Sequence, residues 1–338
     1  MDLQGKDKVK VGIVGLGDWG EAHLQAFQSV PFAEVVSICD INEERAQSLA
    51  EKYGVPRAFQ HAEQHNAQPD LDLVSVVTYE KDHLEPVLSA LKNGKHVIVE
   101  KPVSVLANAA RQMEAEAKRQ GKMIFPGHVL RFDARYASLH QAIRSGEIGV
   151  PISLYLKRSR KKSMFAVYQR THTVFMSTVH DIDIALWYTG SRVRKVSARG
   201  IWTTTAEVPD LLWASLEFEN GALAVLESDW LTPDSFHAGV NDAAEVIGDR
   251  GILQLNTLAN GLYGWSDQKG SLAPDAFIHY ALADRYRGAL HEQMSYICQC
   301  LISGQEPLYV SFADAVHGIE IAEAIERSIA SGKEIKLN

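Results

Sequence analysis

The segment Val9–His23, VKVGIVGLGDWGEAH, constrains the fold of this chain more than any other. Val11, Ile13 and Val14 form a short β-branched run of the kind found in a strand covered on both faces of a parallel sheet. Gly15, Gly17 and Gly20 follow in the spacing G-x-G-x-x-G, and Glu21–Phe27 is compatible with a helix. In such a unit the first glycine permits the tight turn. The second lets the backbone approach a pyrophosphate, and the third lets helix and strand pack closely. Unpaired N–H groups of the first helical turn then face the phosphates, and the helix dipole favours their charge. Ordinary turns also collect glycine, so the context matters. A second apolar strand, Val35–Cys39, ends in Asp40, about twenty residues beyond Gly20, where a carboxylate accepts hydrogen bonds from ribose hydroxyls. The same carboxylate repels a 2′-phosphate. The pattern predicts NAD rather than NADP, cradled by Gly15, Leu16, Gly17, Asp18, Trp19 and Gly20 with Asp40 at the ribose.

Further along, Asn42–Tyr53 reads as a helix capped by Asn42 and stopped by Gly54. Leu71–Thr78 and His96–Glu100 read as buried strands, Asp82–Asn93 and Asn108–Gln120 as helices, and Lys122–Pro126 as a last short strand. This alternation predicts an α/β, doubly wound parallel sheet over residues 1–126, with the strand ends at Gly15, Asp40, Thr78 and Glu100 along one ligand-binding edge. From Gly127 the texture changes. A helix over Asp133–Ser145 and a strand over Pro151–Lys157 precede a helical stretch at His180–Thr189. Five strands then run from Val193 to Leu255 without intervening helices. Residues 127–338 are therefore expected to form an α+β domain with a large open, mostly antiparallel sheet. Asp284–Ser303 and Phe312–Ser331 read as amphipathic helices.

Composition excludes several classes of function. The 338 residues suffice for two cores, and a formal net charge of −8 argues against a nucleic-acid footprint. No apolar run approaches a membrane span, and the N-terminus lacks the apolar core of a signal peptide. Three cysteines, Cys39, Cys298 and Cys300, indicate neither a disulfide framework nor a metal site, so a cytoplasmic setting is expected.

Two residues stand out for chemistry. Lys101 leaves the end of a buried strand, and Pro102 disfavours helical geometry for it; an ammonium there can hydrogen-bond a substrate hydroxyl and steer its proton. His180 opens the stretch HDIDIALW and can exchange protons near neutral pH. A surface lysine and a helix-capping histidine are the competing readings. Asp181 and Asp183 equally suit a first helical turn without any catalytic role.

GLGDWGEAH, the acidic strand end at Asp40, HVIVEKP, GHVLRFDARY, HDIDIALWYTG and the closing AIERSIASGKEIKL resemble, in this order and spacing, the Gfo/Idh/MocA family of oxidoreductases. The resemblance spans essentially the whole chain. It implies a nicotinamide-dependent enzyme acting on a sugar, cyclitol or sugar derivative, with an open C-terminal sheet for substrate binding and for homodimer or homotetramer formation. It implies Lys101 and His180 as catalytic residues. The glycine loop, Thr78 with its neighbour Tyr79, His83, Glu100 and Lys101 become cofactor contacts. One position departs. Many members place an aspartate four residues before this histidine; here it is Met176, which cannot exchange a proton. His128, Tyr168, His172 or Asp183 then become candidates for the relay and for substrate contact beside Met176 and His180.

The basic run KRSRKK, Lys157–Lys162, carries one further expectation. Strand alternation puts Arg158, Arg160 and Lys162 on one face, so an anionic substrate is expected if that face borders the site; a solvated strand end is the competing reading. Two other functions remain open: a redox-neutral, NAD-dependent glycosidase, and a ligand-sensing regulator that kept the fold and lost the chemistry.

Overall fold

The computed structural model describes residues 3, 6–258, 264–266, 270–272, 277–283 and 285–337. The chain divides into two compact units, the first made of Met1–Phe132 with Phe277–Val316, the second of Asp133–Ala276 with His317–Asn338.

The first unit is built from β1 (Val9–Val14), α1 (Asp18–Ser29), β2 (Ala33–Cys39), α2 (Glu43–Tyr53), β3 (Ala58–Phe59), α3 (Ala62–Asn66), β4 (Leu73–Val76), α4 (Leu84–Lys92), β5 (His96–Glu100), α5 (Ala107–Gln120) and β6 (Ile124–Gly127). Its strands form one sheet in the order β3-β2-β1-β4-β5-β6, every neighbouring pair parallel. The order reverses direction at β1, which opens a crevice beyond the strand ends. The runs are apolar because both faces are covered. Val11, Ile13, Leu73, Val76, Val97, Ile98 and Val99 are all inaccessible to solvent, each worth roughly 1.5–3 kcal/mol of burial. Asn42 caps α2 by accepting from Arg45 N–H at 3.0 Å, and Gly54 ends it in the left-handed conformation, as expected.

The division differs from two consecutive segments meeting at 126/127. Phe277–Val316 returns to the first unit because Leu290, Met294, Ile297, Cys298 and Leu301 of the helix Ala289–Ser303 join the core that holds Val11, Leu24 and Phe27. An amphipathic pattern marks such a helix but not the core it enters. The helix begins at Ala289 rather than Asp284, a position outside the described residues. Tyr280–Leu282 and Arg285–Arg287 before it pair as a short antiparallel hairpin.

The second unit contains α6 (Ala134–Arg144), β7 (Pro151–Lys161), α7 (Lys162–Tyr168), α8 (Val179–Thr189), β8 (Val193–Ile201), β9 (Leu211–Phe218), β10 (Leu223–Thr232), β11 (Val240–Gly248) and β12 (Ile252–Asn256). The sheet has seven strands in the order β12-β11-β7-β10-β9-β8 followed by the closing strand Ile335–Lys336. It is antiparallel except where β10 runs parallel to β7. One face is buried, through Leu154, Leu156, Leu212, Leu216, Leu226 and Val246. The opposite face keeps Trp213 and Leu223 exposed, with Tyr155 stacked beside Trp213 at 6.2 Å between centroids. Two local features differ from the sequence reading. The first strand runs on to Lys161, so Lys162 starts a helix instead of sharing a strand face with Arg158. A π-helical turn, Val174–Thr178, leads directly into α8.

Candidate active site

The strand ends of the first unit carry the expected cofactor residues. Gly15 turns at φ +93°, and a Cβ there would stand 2.6 Å from the Val77 carbonyl; at Gly20 a Cβ would stand 2.0 Å from the Gly15 oxygen. Gly17, by contrast, has nothing within 4 Å of an added Cβ. The loop thus closes tightly on β4 and α1 and leaves open the one side where a pyrophosphate approaches the start of α1, so its shape fits a dinucleotide. Leu16 is buried, Asp18 is exposed, and Trp19 packs edge-on to His23 and to His279.

Asp40 follows β2 directly. Its Oδ2 accepts from Leu16 N–H at 2.8 Å and its Oδ1 from Asn42 N–H at 2.9 Å, while Arg45 Nη1 lies 3.7 Å from Oδ2. The two amides fix the carboxylate between the glycine loop and α2. Each oxygen retains a lone pair for a ribose hydroxyl.

Beyond β5 the sequence reading named Glu100 and Lys101 but missed what holds them. Glu100 is buried, with Oε2 accepting from Lys101 N–H at 2.9 Å and Oε1 lying 3.1 Å from His23 Nε2. His23 Nδ1 in turn lies 2.9 Å from Ser75 Oγ. Burial works to raise the Glu100 pKa, but His23 and Lys101 outweigh it and hold the carboxyl below the usual range. A side chain at Gly127 would strike Glu100, its Cβ falling 2.6 Å from Oε1. The signals for this network were a histidine on the apolar side of α1 and a serine inside the run LVSV. The Lys101–Pro102 peptide is cis.

Thr78 and Tyr79 follow β4, Tyr79 with most of its surface exposed and Thr78 Oγ1 donating to Asp82 O at 3.1 Å. His83 is buried, its Nε2 3.1 Å from Thr78 O and its Nδ1 3.0 Å from Pro102 O. Its ring therefore staples the loop after β4 to the loop after β5, beside the strand ends where the cofactor contact is expected. Burial pushes its pKa down. His128, just past β6, is buried in the first unit.

In the second unit, His180 is the second residue of α8 and Asp183 is buried one turn later. Met176, on the π-helical turn, packs with Phe165 and Trp230. Tyr168 stacks on Trp230 at 5.4 Å between centroids, and the Arg170 guanidinium lies 5.5 Å above the Tyr168 ring. His172 Nδ1 accepts from Val174 N–H at 3.2 Å, and burial pushes its pKa down to about 4. Tyr168 and Met176 therefore belong to one aromatic corner. The relay position lies against apolar walls, where an unpaired carboxylate is costly.

Arg158 corrects the expectation of an anion anchor. It is buried, its Nε and Nη2 donate to Asp181 at 3.1 and 2.8 Å, and its Nη1 donates to Asp242 at 2.7 Å. Arg160 binds the same Asp242 through Nη1 and Nη2 at 2.5 and 3.1 Å. Arg158 and Arg160 do share a face, but its charge is already matched by carboxylates from α8 and β11. Lys157, on the other face, pairs with Glu227 at 3.5 Å.

Residues 9–128 match the profile of an oxidoreductase family with an NAD-binding Rossmann fold, and residues 136–254 match that of the GFO/IDH/MocA C-terminal domain. Among curated relatives, the myo-inositol 2-dehydrogenase of Thermotoga maritima is 27% identical over 337 residues, covering 97% of this chain and 98% of its own. The NAD(+)-dependent scyllo-inositol 2-dehydrogenase of Bacillus subtilis is 27% identical over 345 residues, covering 98% and 97%. Among solved structures, the scyllo-inositol dehydrogenase of Lactobacillus casei with NAD(H) and scyllo-inositol superposes with a TM-score of 0.84 at 21% identity, over 97% and 99% of the two chains. With its NAD-binding Rossmann unit and its second domain both matched, the chain belongs to the Gfo/Idh/MocA family of oxidoreductases.

Proposed function

We propose that the protein is an NAD-dependent dehydrogenase that oxidises a secondary hydroxyl of a neutral cyclitol or sugar. One observation carries the reading: Lys101 and His180 are both present in a chain that aligns over nearly its full length with enzymes named inositol 2-dehydrogenases. NAD+ supplies the hydride acceptor when bound. Gly15–Gly20 would hold its phosphates and Asp40 its ribose, with Thr78, Tyr79 and Lys101 at the neighbouring strand ends as further contacts. Lys101 hydrogen-bonds the hydroxyl that reacts, and His180 takes the proton that the hydroxyl releases. Glu100, bonded to Lys101 N–H, keeps that lysine at the strand end. The pairing of Arg158 and Arg160 with Asp181 and Asp242 favours a neutral substrate over an anionic one.

Residues 1–126 act as the dinucleotide-binding domain, and the rest of the chain mainly as the substrate-binding domain. The exposed sheet face around Trp213 and Leu223 supports assembly into a homodimer or homotetramer, and a cytoplasmic setting suits the buried free thiols. Among the described residues no helix is long and apolar enough to cross a membrane.

The test is to follow NADH absorbance with myo-inositol, scyllo-inositol, neutral sugars and sugar acids. NADH formation from a neutral polyol in preference to sugar acids is the expected result. Absence of NADH with every polyol, or glycoside cleavage without NADH accumulation, would overturn the reading.

A further inference from the structure

The buried charges beneath α8 call for an explanation that stability does not supply. Replacing a buried ion pair by well-packed apolar residues is often neutral or stabilising. Yet Arg158, Asp181 and Asp242 sit between the sheet and the helix, on a sheet face lined mainly by apolar side chains. Arg135 reaches the same neighbourhood from α6, paired with Asp133 at 2.6 Å, and Tyr136 is buried alongside. Burial works to raise the Asp242 pKa, but Arg158 and Arg160 outweigh it and keep this carboxyl ionised.

Three features of α8 show what the charges do. Every side chain from Thr173 to Leu186 is buried except that of His180. A helix buried on all sides has no exposed stripe to set its rotation, so burial alone leaves the direction of His180 weakly specified. No side chain caps the start of the helix either, because Thr178 Oγ1 donates instead to Ser228 on β10 at 2.9 Å. Finally, the π-helical turn just upstream removes the regular register that a longer α-helix would impose.

We propose that Arg158 is a positioning residue for the reaction: its planar fork on Asp181 sets the rotation of the first turn of α8 and so fixes the direction of the half-buried His180 side chain. A guanidinium meeting both carboxylate oxygens defines an orientation that a methyl contact does not. Asp181 is the residue next to His180, so a rotation of the turn moves both. Asp242 grips Arg158 from β11 and prevents the fork from swinging with the helix. The proposal rests on His180 being the proton acceptor proposed above.

The experiment uses the full chain and two variants. Arg158→Lys keeps the charge and loses the fork; Asp181→Asn keeps the shape and loses the charge. For each, thermal unfolding, NAD affinity, kcat and KM on the preferred polyol, and amide hydrogen exchange are measured. A folded variant is expected to bind NAD as the wild type does and to lose about tenfold to a hundredfold in kcat. Its KM should move less than about threefold, since the misplaced group takes the proton rather than binding the polyol. Exchange should rise in peptides spanning 176–186 and stay unchanged in those from β1, β4 and β5. Should Arg158→Lys fail to fold, Asp181→Asn is read the same way. Wild-type kcat in a folded variant, or exchange raised evenly across both units, would overturn the proposal. A wild-type enzyme inactive on every polyol would instead sink the dehydrogenase reading, and the exchange pattern would still decide whether the fork orients α8.

Discussion

The two sheets bury polar side chains in opposite ways. Inside the first, Ser37 pairs with His65 and Ser75 with His23; the carboxylates of Asp40 and Glu100 lie at or beyond the strand ends and accept backbone N–H groups. In the second, fully ionic groups lie within the sheet, Arg158 and Arg160 on β7 opposite Asp242 on β11. A carboxylate held by amides keeps lone pairs for a ligand, whereas a guanidinium shared between carboxylates has little donor capacity left. Charge at the first edge is therefore available for binding, and charge in the second sheet serves to orient.

The sharpest test of this contrast is catalytic. Lys101→Ala and His180→Ala should each lower kcat by roughly a hundredfold or more, the size of an acid–base contribution. NAD affinity should change less for His180→Ala, which lies in the other unit. Titration of NAD by fluorescence alongside turnover checks both, and a His180→Ala enzyme of normal turnover would mean that the histidine merely starts a helix.

Next come the glycines. Gly15→Ala and Gly20→Ala should destabilise the first unit by roughly 2 kcal/mol or more, through positive φ or overlap with backbone. Gly17→Ala should leave the unfolding temperature unchanged and weaken NAD binding by about tenfold, because its Cβ enters open space that the pyrophosphate needs. Equal loss of stability in all three variants would show that the loop is a structural turn only.

Asp40→Ser should narrow the preference for NAD over NADP by about tenfold, with a modest loss of stability from the amides of Leu16 and Asn42. Arg160→Ala in the second unit should leave the ratio of activities on neutral and acidic polyols unchanged. A selective loss of activity on acids would restore the anion-anchor reading.

The smallest effect is a pH dependence shared by both units. Burial pushes His96 in the first and His172 in the second down to about 4, and each Nδ1 accepts a backbone N–H. A histidine depressed in the folded state favours the neutral ring, so its contribution is intact above the unfolded value near 6.5 and declines as pH falls toward 4. His96→Gln and His172→Gln should each relieve roughly 1 kcal/mol of that decline near pH 5, after discounting for solvent at a partly exposed ring. Chemical denaturation at neutral and acid pH measures it; identical slopes in variant and wild type would rule the effect out.

Much of the first unit was legible because its signals are local. A β-branched run, a glycine that must turn at positive φ and an acidic residue at the next strand end each act within a few residues, so strand, loop and helix follow from neighbours along the chain. The position of His83 between the carbonyls of Thr78 and Pro102 was not legible, since no pattern marks which loop a buried histidine faces. The helix Ala289–Ser303 was visible as an element, yet its core was chosen by packing.

By itself, then, the sequence determined the dinucleotide-binding turn, the order of the strands' chemistry at Gly15, Asp40, Glu100 and Lys101, and the family. Only the tertiary structure decided where KRSRKK finds its partners. Lys162 left the strand for a helix, and Arg158 met carboxylates 23 and 84 residues away in the chain. Whether a buried charge is available to a ligand depends on its partners, and long-range strand register, not local composition, brings those partners to it.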